Sequence, residues 1–300
     1  MADTAADTAV AAPAAASAEI VTRRRTVWQS FRRNLPALIG LAILVGFLVL
    51  AIAAPLVTSH DPIKQNLGEA RLSPSLDHLF GTDNLGRDVF ARIIFGARIS
   101  LVIGLLAVFL GLVVGVPLGL MSGYFGGWVD ILIQRLADIM LAFPPFLLAL
   151  AMVAALGIGV RNVVIAVGIS VIPVFIRLTR GSALTIKAQG YVEAARAENA
   201  SSAYIIARHV LPNALAPVIV QGTLSLGITI LTASGLGFLG VGVQQPTPEW
   251  GSMLGDARQY IFSDPTMAMF PGFAIVLGVL AFNLIGDGLR DALDPHLRTF

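Results

Sequence analysis

Long apolar runs separated by short polar segments dominate the chain. Six runs, at about residues 35–57, 97–121, 136–157, 162–180, 213–235 and 268–288, read as spans. At about 1.5 Å per helical residue, roughly 20 apolar residues cross the hydrocarbon layer of a bilayer. The pattern predicts an all-α polytopic membrane protein of six transmembrane helices. An even count returns both termini to one side. The layout is a tail over 1–34, a first helix over 35–57, an external loop with a short helix over 58–96, a five-helix core over 97–290 and a tail over 291–300. The core contains a cytoplasmic loop at 181–212 and an external loop at 236–267.

Residues inside the spans refine this picture. Phe143-Pro144-Pro145-Phe146 is expected to distort the third span, because consecutive prolines remove two backbone donors, and Pro173 to bend the fourth. Gly111, Gly115 and Gly119 recur every four residues and offer a smooth stripe for close helix packing. Asp138 lies three residues after Arg135, the spacing of a local ion pair or of a gating contact.

Composition agrees with a membrane location: 56% of residues are hydrophobic and only 13% charged, too few to cover a soluble domain of 300 residues. A formal charge of +2 leaves no broad basic surface for nucleic acid. The absence of cysteine excludes disulfides and thiolate chemistry, and His60, His78, His209 and His296 are far apart in sequence, so no metal site is expected. Residues 1–20, rich in Ala, Thr and Asp, lack the order of a secretory signal and read as a disordered cytoplasmic tail. No Gly-x-x-x-x-Gly-Lys-Ser/Thr phosphate loop is present, so ATP hydrolysis is not expected of this chain.

Charge sets the orientation. Arg23, Arg24, Arg25, Arg32 and Arg33 precede the first span, and Asp61, Glu69, Asp77, Asp83 and Asp88 follow it. This asymmetry predicts cytoplasmic N and C termini. In the first external loop, Asp83 is the expected cap of a short helix over 87–95. In the second, Trp250 suits either the membrane interface or, with Gln244 and Gln245, a surface that docks an external protein or solute.

The polar segment between the fourth and fifth spans carries the clearest functional signal. Residues 186–200 predict one helix and 202–209 a second, with Pro212 in the first turn of the fifth span. Glu193 and Arg196 share a helix face beside Tyr191, while the methyls of Ala194, Ala195 and Ala197 permit close approach of another surface.

This segment resembles the EAA loop of binding-protein-dependent ABC import permeases. Glu193, Ala194 and Ala195 match its opening, Leu211 and Pro212 its later element, and Asn199 stands where glycine is usual. Asn tolerates the left-handed backbone region, so a turn between two short helices is retained. Residues 80–90, Phe-Gly-Thr-Asp-Asn-Leu-Gly-Arg-Asp-Val-Phe, and 283–295 further resemble the dipeptide, oligopeptide and nickel permease group, most closely its dipeptide/oligopeptide C subunits. The resemblance covers roughly residues 30–298. It implies a type I ABC importer permease with cytoplasmic coupling helices, working with a second permease subunit, two ATPases that hold ATP and Mg, and an external solute-binding protein. No cofactor is expected on this chain itself.

On that resemblance, Tyr191, Glu193, Ala194, Ala195, Arg196, Asn199, Leu211 and Pro212 form the ATPase-coupling surface. Ser170, Arg177, Gln221, Thr223, Ser225, Thr229 and Asn283 are the candidates for lining the pathway, since polar groups within spans favour a protein interior or aqueous cavity over lipid. For the hydroxyl residues the competing role is a bond to their own helix backbone. The implied cargo is a dipeptide or oligopeptide; the alternatives are nickel or a nickel complex and, outside the family, a secondary carrier or channel.

Overall fold

A computed structural model describes residues 27–293; the basic N-terminal stretch before Val27 and the last residues, including His296, lie outside the described residues. Five helices are long and apolar enough to cross a membrane, and a sixth crossing is made if one bent pair counts as a single span. Among the described residues the loops form no strand, only an isolated bridge between Thr82 and Asp88.

Helix α1 (Leu35–Val57) starts under an Asn34 cap, whose side chain accepts from the Ala37 amide at 3.0 Å. Pro55 inside α1 has no N–H to offer the Ala51 carbonyl, and Arg98 supplies the missing donor through Nε at 2.5 Å. Helix α2 (Val89–Phe125) is longer than expected because the short external helix and the second span are one element. Its cap is Asp88, donated to by the Ala91 amide at 2.6 Å, not Asp83.

The third span is a broken one. Helices α3 (Gly127–Leu141) and α4 (Pro145–Leu156) meet at 90°, the break falling at the expected Phe143-Pro144-Pro145 segment. Helix α5 (Val160–Lys187) continues seven residues past its predicted end at 180, with Arg177 and Arg180 inside it. Those side chains have partners: Arg180 holds Asp130 through two bonds of 2.6 Å, and Arg177 reaches Asp138 at 2.7 Å. Asp138 therefore pairs across to α5 and not with Arg135 on its own helix.

After α5 comes the short helix α6 (Gly190–Ala197), separate from it where one helix over 186–200 was expected. Helix α7 is continuous over Ser202–Phe238. Pro212 lacks an N–H, and the chain upstream widens into a π turn at Ile206–Val210 in which the Leu211 amide reaches back to the Ile206 carbonyl. The helix expected over 202–209 is thus joined to the fifth span through a local change of pitch. Helix α8 (Trp250–Ala257) follows in the second long loop, and α9 (Thr266–Leu293) closes the described chain.

Glycine contacts give the relative directions. A Cβ at Gly111 would meet Val171, at Gly115 Phe175 and Ile172, and at Gly123 Ala183 and Arg180, so α2 and α5 run parallel in close contact. The predicted smooth stripe is a helix-packing surface, extended one turn by Gly123. Gly104 against Ile230 with Gly222 against Leu112 sets α7 antiparallel to α2, Gly286 against Leu224 with Gly227 against Val279 sets α9 antiparallel to α7, and Gly40 against Leu284 with Gly288 against Ala37 sets α1 antiparallel to α9. Leu35, Leu293 and α6 consequently share one end of the bundle, and the loops before α2 and around α8 share the other. The outward residues Met269, Phe273, Val276 and Leu280 of α9 are exposed at helical spacing, an apolar stripe suited to lipid or another helix.

Candidate functional site

At the end holding α6, one face of the helix is fastened and the other is free. Val192 is buried with Ile205, Val210, Ala214, Leu120, Tyr124 and Ala183 in one apolar cluster. Tyr191, Glu193, Ala194 and Arg196 are exposed, and Ala195 is half-buried against the cluster. The Arg196 guanidinium lies 5.1 Å from the Tyr124 ring centre instead of pairing with Glu193. Among the described residues Glu193 makes no ion pair, so its carboxylate is available to another surface.

The helix ends as the sequence predicts. Asn199 has φ 57°, the left-handed region. Its amide bonds to the Arg196 carbonyl at 3.0 Å and the Ala200 amide to the Ala195 carbonyl at 3.1 Å, the paired bonds of a Schellman cap. Ser201 then caps α7. Tyr191 is tied to the start of α7: Asn213 Nδ2 donates to its hydroxyl at 3.3 Å, and its ring lies 5.9 Å from that of His209. Leu211 is half-buried and Pro212 exposed beside them.

Between α2 and α7 runs an apolar groove of about 730 Å³, walled by residues such as Leu105, Phe109, Leu112, Leu215, Ile219 and Leu226. Of the candidate pathway residues only Thr223 lines it. Ser170, Ser225 and Thr229, expected along the pathway, are buried within the subunit. Ser170 donates to the Val167 carbonyl at 2.7 Å and Thr229 to the Leu226 carbonyl at 3.0 Å, the backbone bonding available to hydroxyls in helices. Gln221 is half-buried and donates to Ser225 at 3.3 Å, Asn283 packs against Gly227, and Arg177 is exposed.

The opposite end holds a charged network that sequence reasoning did not assemble. Arg87 and Arg92 are both 1% exposed. Arg87 Nε donates to Asp83 at 2.6 Å and its Nη1 to Gln245 at 2.5 Å, while Nη2 lies 3.5 Å from Asp256. Gln245 also donates to Asp256, and Arg92 donates to the Pro62 carbonyl at 2.8 Å. Burial pushes the Asp256 carboxyl up despite the opposing pull of Arg87 and Arg92. These bonds join the loop before α2, the start of α2 and the α8 segment. The available signal was the acid–base alternation of Asp83, Arg87, Asp88 and Arg92, but the partners in α8 are over 150 residues away.

Trp250 is also inside, fully buried, its Nε1 donating to the Ile93 carbonyl at 3.0 Å. It is therefore neither an interface residue nor an exposed docking residue. Glu249 beside it is 1% exposed and caps α8, accepting from the Gly251 and Ser252 amides at 2.8 Å each. Burial drives its carboxyl above the usual carboxylate range against the pull of those bonds. Gln244 and Gln245 remain exposed, the latter with its side chain bonded to Arg87 and Asp256.

Residues 115–299 match the model of the binding-protein-dependent transport system inner membrane component family, and residues 22–74 match that of the N-terminal transmembrane domain of oligopeptide transport permease C. The chain belongs to the binding-protein-dependent permease family. Among relatives of this permease, a dipeptide transport system permease protein of Alkalihalophilus pseudofirmus is 49% identical, over 92% of this chain and 90% of its own length. A glutathione transport system permease protein of Escherichia coli is 46% identical, over 90% of each. A chain of the MetNI methionine ABC transporter in an inward-facing conformation superposes with a TM-score of 0.57 at 21% identity, covering 68% of this chain and 96% of that one. The fold is that of a type I ABC importer permease, and the permease is a non-catalytic membrane component of a transporter.

Proposed function

We propose that this permease forms half of the membrane pathway of an ATP-driven importer of dipeptides or oligopeptides. The observation that carries the coupling role is the free face of α6: exposed Tyr191, Glu193, Ala194 and Arg196 on a helix whose Val192 is sunk in the core. A cytoplasmic ATPase pressing on that face moves α6 together with the first turns of α7, since Tyr191, Asn213 and His209 join the two. Ala195, Asn199, Leu211 and Pro212 shape and support this surface. Motion reaches the pathway through α7, which carries Gln221 and Thr223; with Arg177 and Asn283 these are the pathway residues we retain.

The resulting assembly has a second permease subunit against this one, two ATPases holding ATP and Mg, and an external binding protein at the α8 end, where Gln244 is exposed. The termini lie in the cytoplasm with α6, in keeping with the Arg-rich entry to α1. A peptide cargo is favoured because relatives at 49% and 46% identity are named for dipeptide and glutathione transport.

The test is ATP-dependent uptake into proteoliposomes holding the whole assembly, with labelled dipeptides, longer peptides and chelated nickel in parallel. Peptide uptake that requires this subunit is the expected result; nickel-only uptake replaces the cargo assignment. The Glu193→Lys variant should insert normally yet lose most coupled uptake, as charge reversal at a contact turns attraction into repulsion. Full uptake by that variant removes Glu193 from the coupling surface.

A further inference from the structure

Two of the histidines that are far apart in sequence meet in the fold. His60 follows the exit of α1, His78 lies in the loop before α2, and Asp88 caps α2; one ligand atom from each falls within 4.8 Å of the others. The His60 and His78 rings are 4.7 Å apart between centres, tilted by 41°. His78 Nδ1 is 2.9 Å from Asp88 Oδ2. We propose that His60, His78 and Asp88 bind one divalent transition-metal ion, Zn²⁺ by the chemistry of the set, at the end of the bundle opposite α6.

Two imidazoles and a carboxylate are three protein ligands of the kind that leave a fourth tetrahedral position for water. Tetrahedral coordination with bonds of about 2.0–2.1 Å places ligand atoms roughly 3.3 Å apart, a spacing between the 2.9 Å of the His78–Asp88 pair and the 4.8 Å outer limit of the group. His78 and Asp88 are buried, and His60 is half-buried, so the adjustment falls to His60.

The surroundings hold the two buried ligands in place. Asp88 splits its oxygens: Oδ1 accepts from the Ala91 amide at 2.6 Å, and Oδ2 faces His78. The backbone of His78 is fixed on both sides, its amide donating to Ser75 Oγ at 3.1 Å and its carbonyl accepting from the Gly81 amide at 2.9 Å. Behind the ring, Glu69 Oε2 lies 3.7 Å from His78 Nε2, the position of an outer carboxylate that fixes the tautomer of a metal-binding imidazole. His60 borders two surface cavities, of about 630 and 200 Å³, through which an ion and its water can enter.

In the metal-free protein one proton sits between Nδ1 and Oδ2. Binding of the dication displaces this proton to solvent and leaves the nitrogen lone pair and the carboxylate on the metal. The ion then joins the exit of α1, the loop and the first turn of α2 in one clamp.

The experiment uses the full chain in detergent, purified on a tag without histidine and stripped with a chelator, then titrated with Zn²⁺ and with Co²⁺. The expected results are one ion per chain, the intense visible band of low-coordinate Co²⁺, proton release, and a rise in Tm on Zn²⁺ addition. His60→Gln should melt at the wild-type temperature without metal and lose the Zn²⁺-induced rise; Glu69→Gln should weaken binding about tenfold. Failure of the wild-type chain to take up one equivalent, or wild-type Zn²⁺ affinity retained in His60→Gln and in His78→Gln, overturns the assignment.

Discussion

The contact between α2 and α5 yields the most quantitative prediction. At Gly119 an added Cβ would sit 2.5 Å from the Ile176 carbonyl oxygen and closer still to Thr179 Oγ1. Thr179 cannot readily turn away: it is fully buried and its hydroxyl donates to the Phe175 carbonyl at 2.6 Å. Relief therefore requires the helices to separate by about 1 Å, which opens the contacts at Gly111, Gly115 and Gly123 as well. Overpacking of this kind costs about 1–3 kcal/mol, and the backbone location of the oxygen places Gly119→Ala at the upper end. Gly→Ala gains at most about 1 kcal/mol of helix propensity in return. The net expectation is a loss of about 2 kcal/mol. Gly181 in α5 and Gly46 in α1 have nothing within 4 Å of an added Cβ, so Ala there should be neutral or stabilising. Thermal unfolding of the three variants in one detergent compares them directly. A Gly119→Ala melting temperature equal to that of Gly181→Ala would refute the parallel close packing.

Other expectations concern the two ends of the bundle. Asn199→Gly should leave stability and uptake unchanged, whereas Asn199→Val should cost about 1–2 kcal/mol, because a β-branched residue is penalised at φ 57°; the same melting series reads both. Glu249 has its carboxyl raised above the ordinary 4.5 by burial, so the folded state prefers the protonated form. Its contribution to stability is full below about pH 4.5 and is lost as pH rises through the raised value. Glu249→Gln should flatten that fall in melting temperature toward neutral pH, while losing one of the two cap acceptors; a slope identical to wild type would show that Glu249 does not titrate differently in the folded chain.

The spans, the short polar helix α6 and the left-handed turn at Asn199 were legible because each is written locally, in apolar run length, in the helix-forming Glu193-Ala194-Ala195 segment and in the conformational tolerance of Asn. The prolines of the third span signalled a distortion but not its size, since a 90° turn depends on how α3 and α4 each pack on α5. The short helix over 87–95 was set apart from the second span because Arg87, Arg92 and Arg98 interrupt the apolar run. Their charges are absorbed by Asp83, Gln245 and the Ala51 carbonyl, partners that tertiary structure supplies. Trp250 was misassigned for the same reason: its indole N–H bonds to Ile93, and no local pattern announces that. The burial of Ser170 and Thr229 was not legible, as a hydroxyl satisfied by its own helix leaves no trace in the sequence.

The uninterrupted course of α7 has a mechanical consequence. Its 37 residues make a rod about 55 Å long, beginning in the layer that contains α6 and ending beside α8. No loop interrupts it between its base and its far end. Tilting it by about 5° about its lower end sweeps the upper end through about 5 Å, one helical turn in scale. The π turn at Ile206–Val210 sits near the base of this lever, below the stretch that carries Gln221 and Thr223.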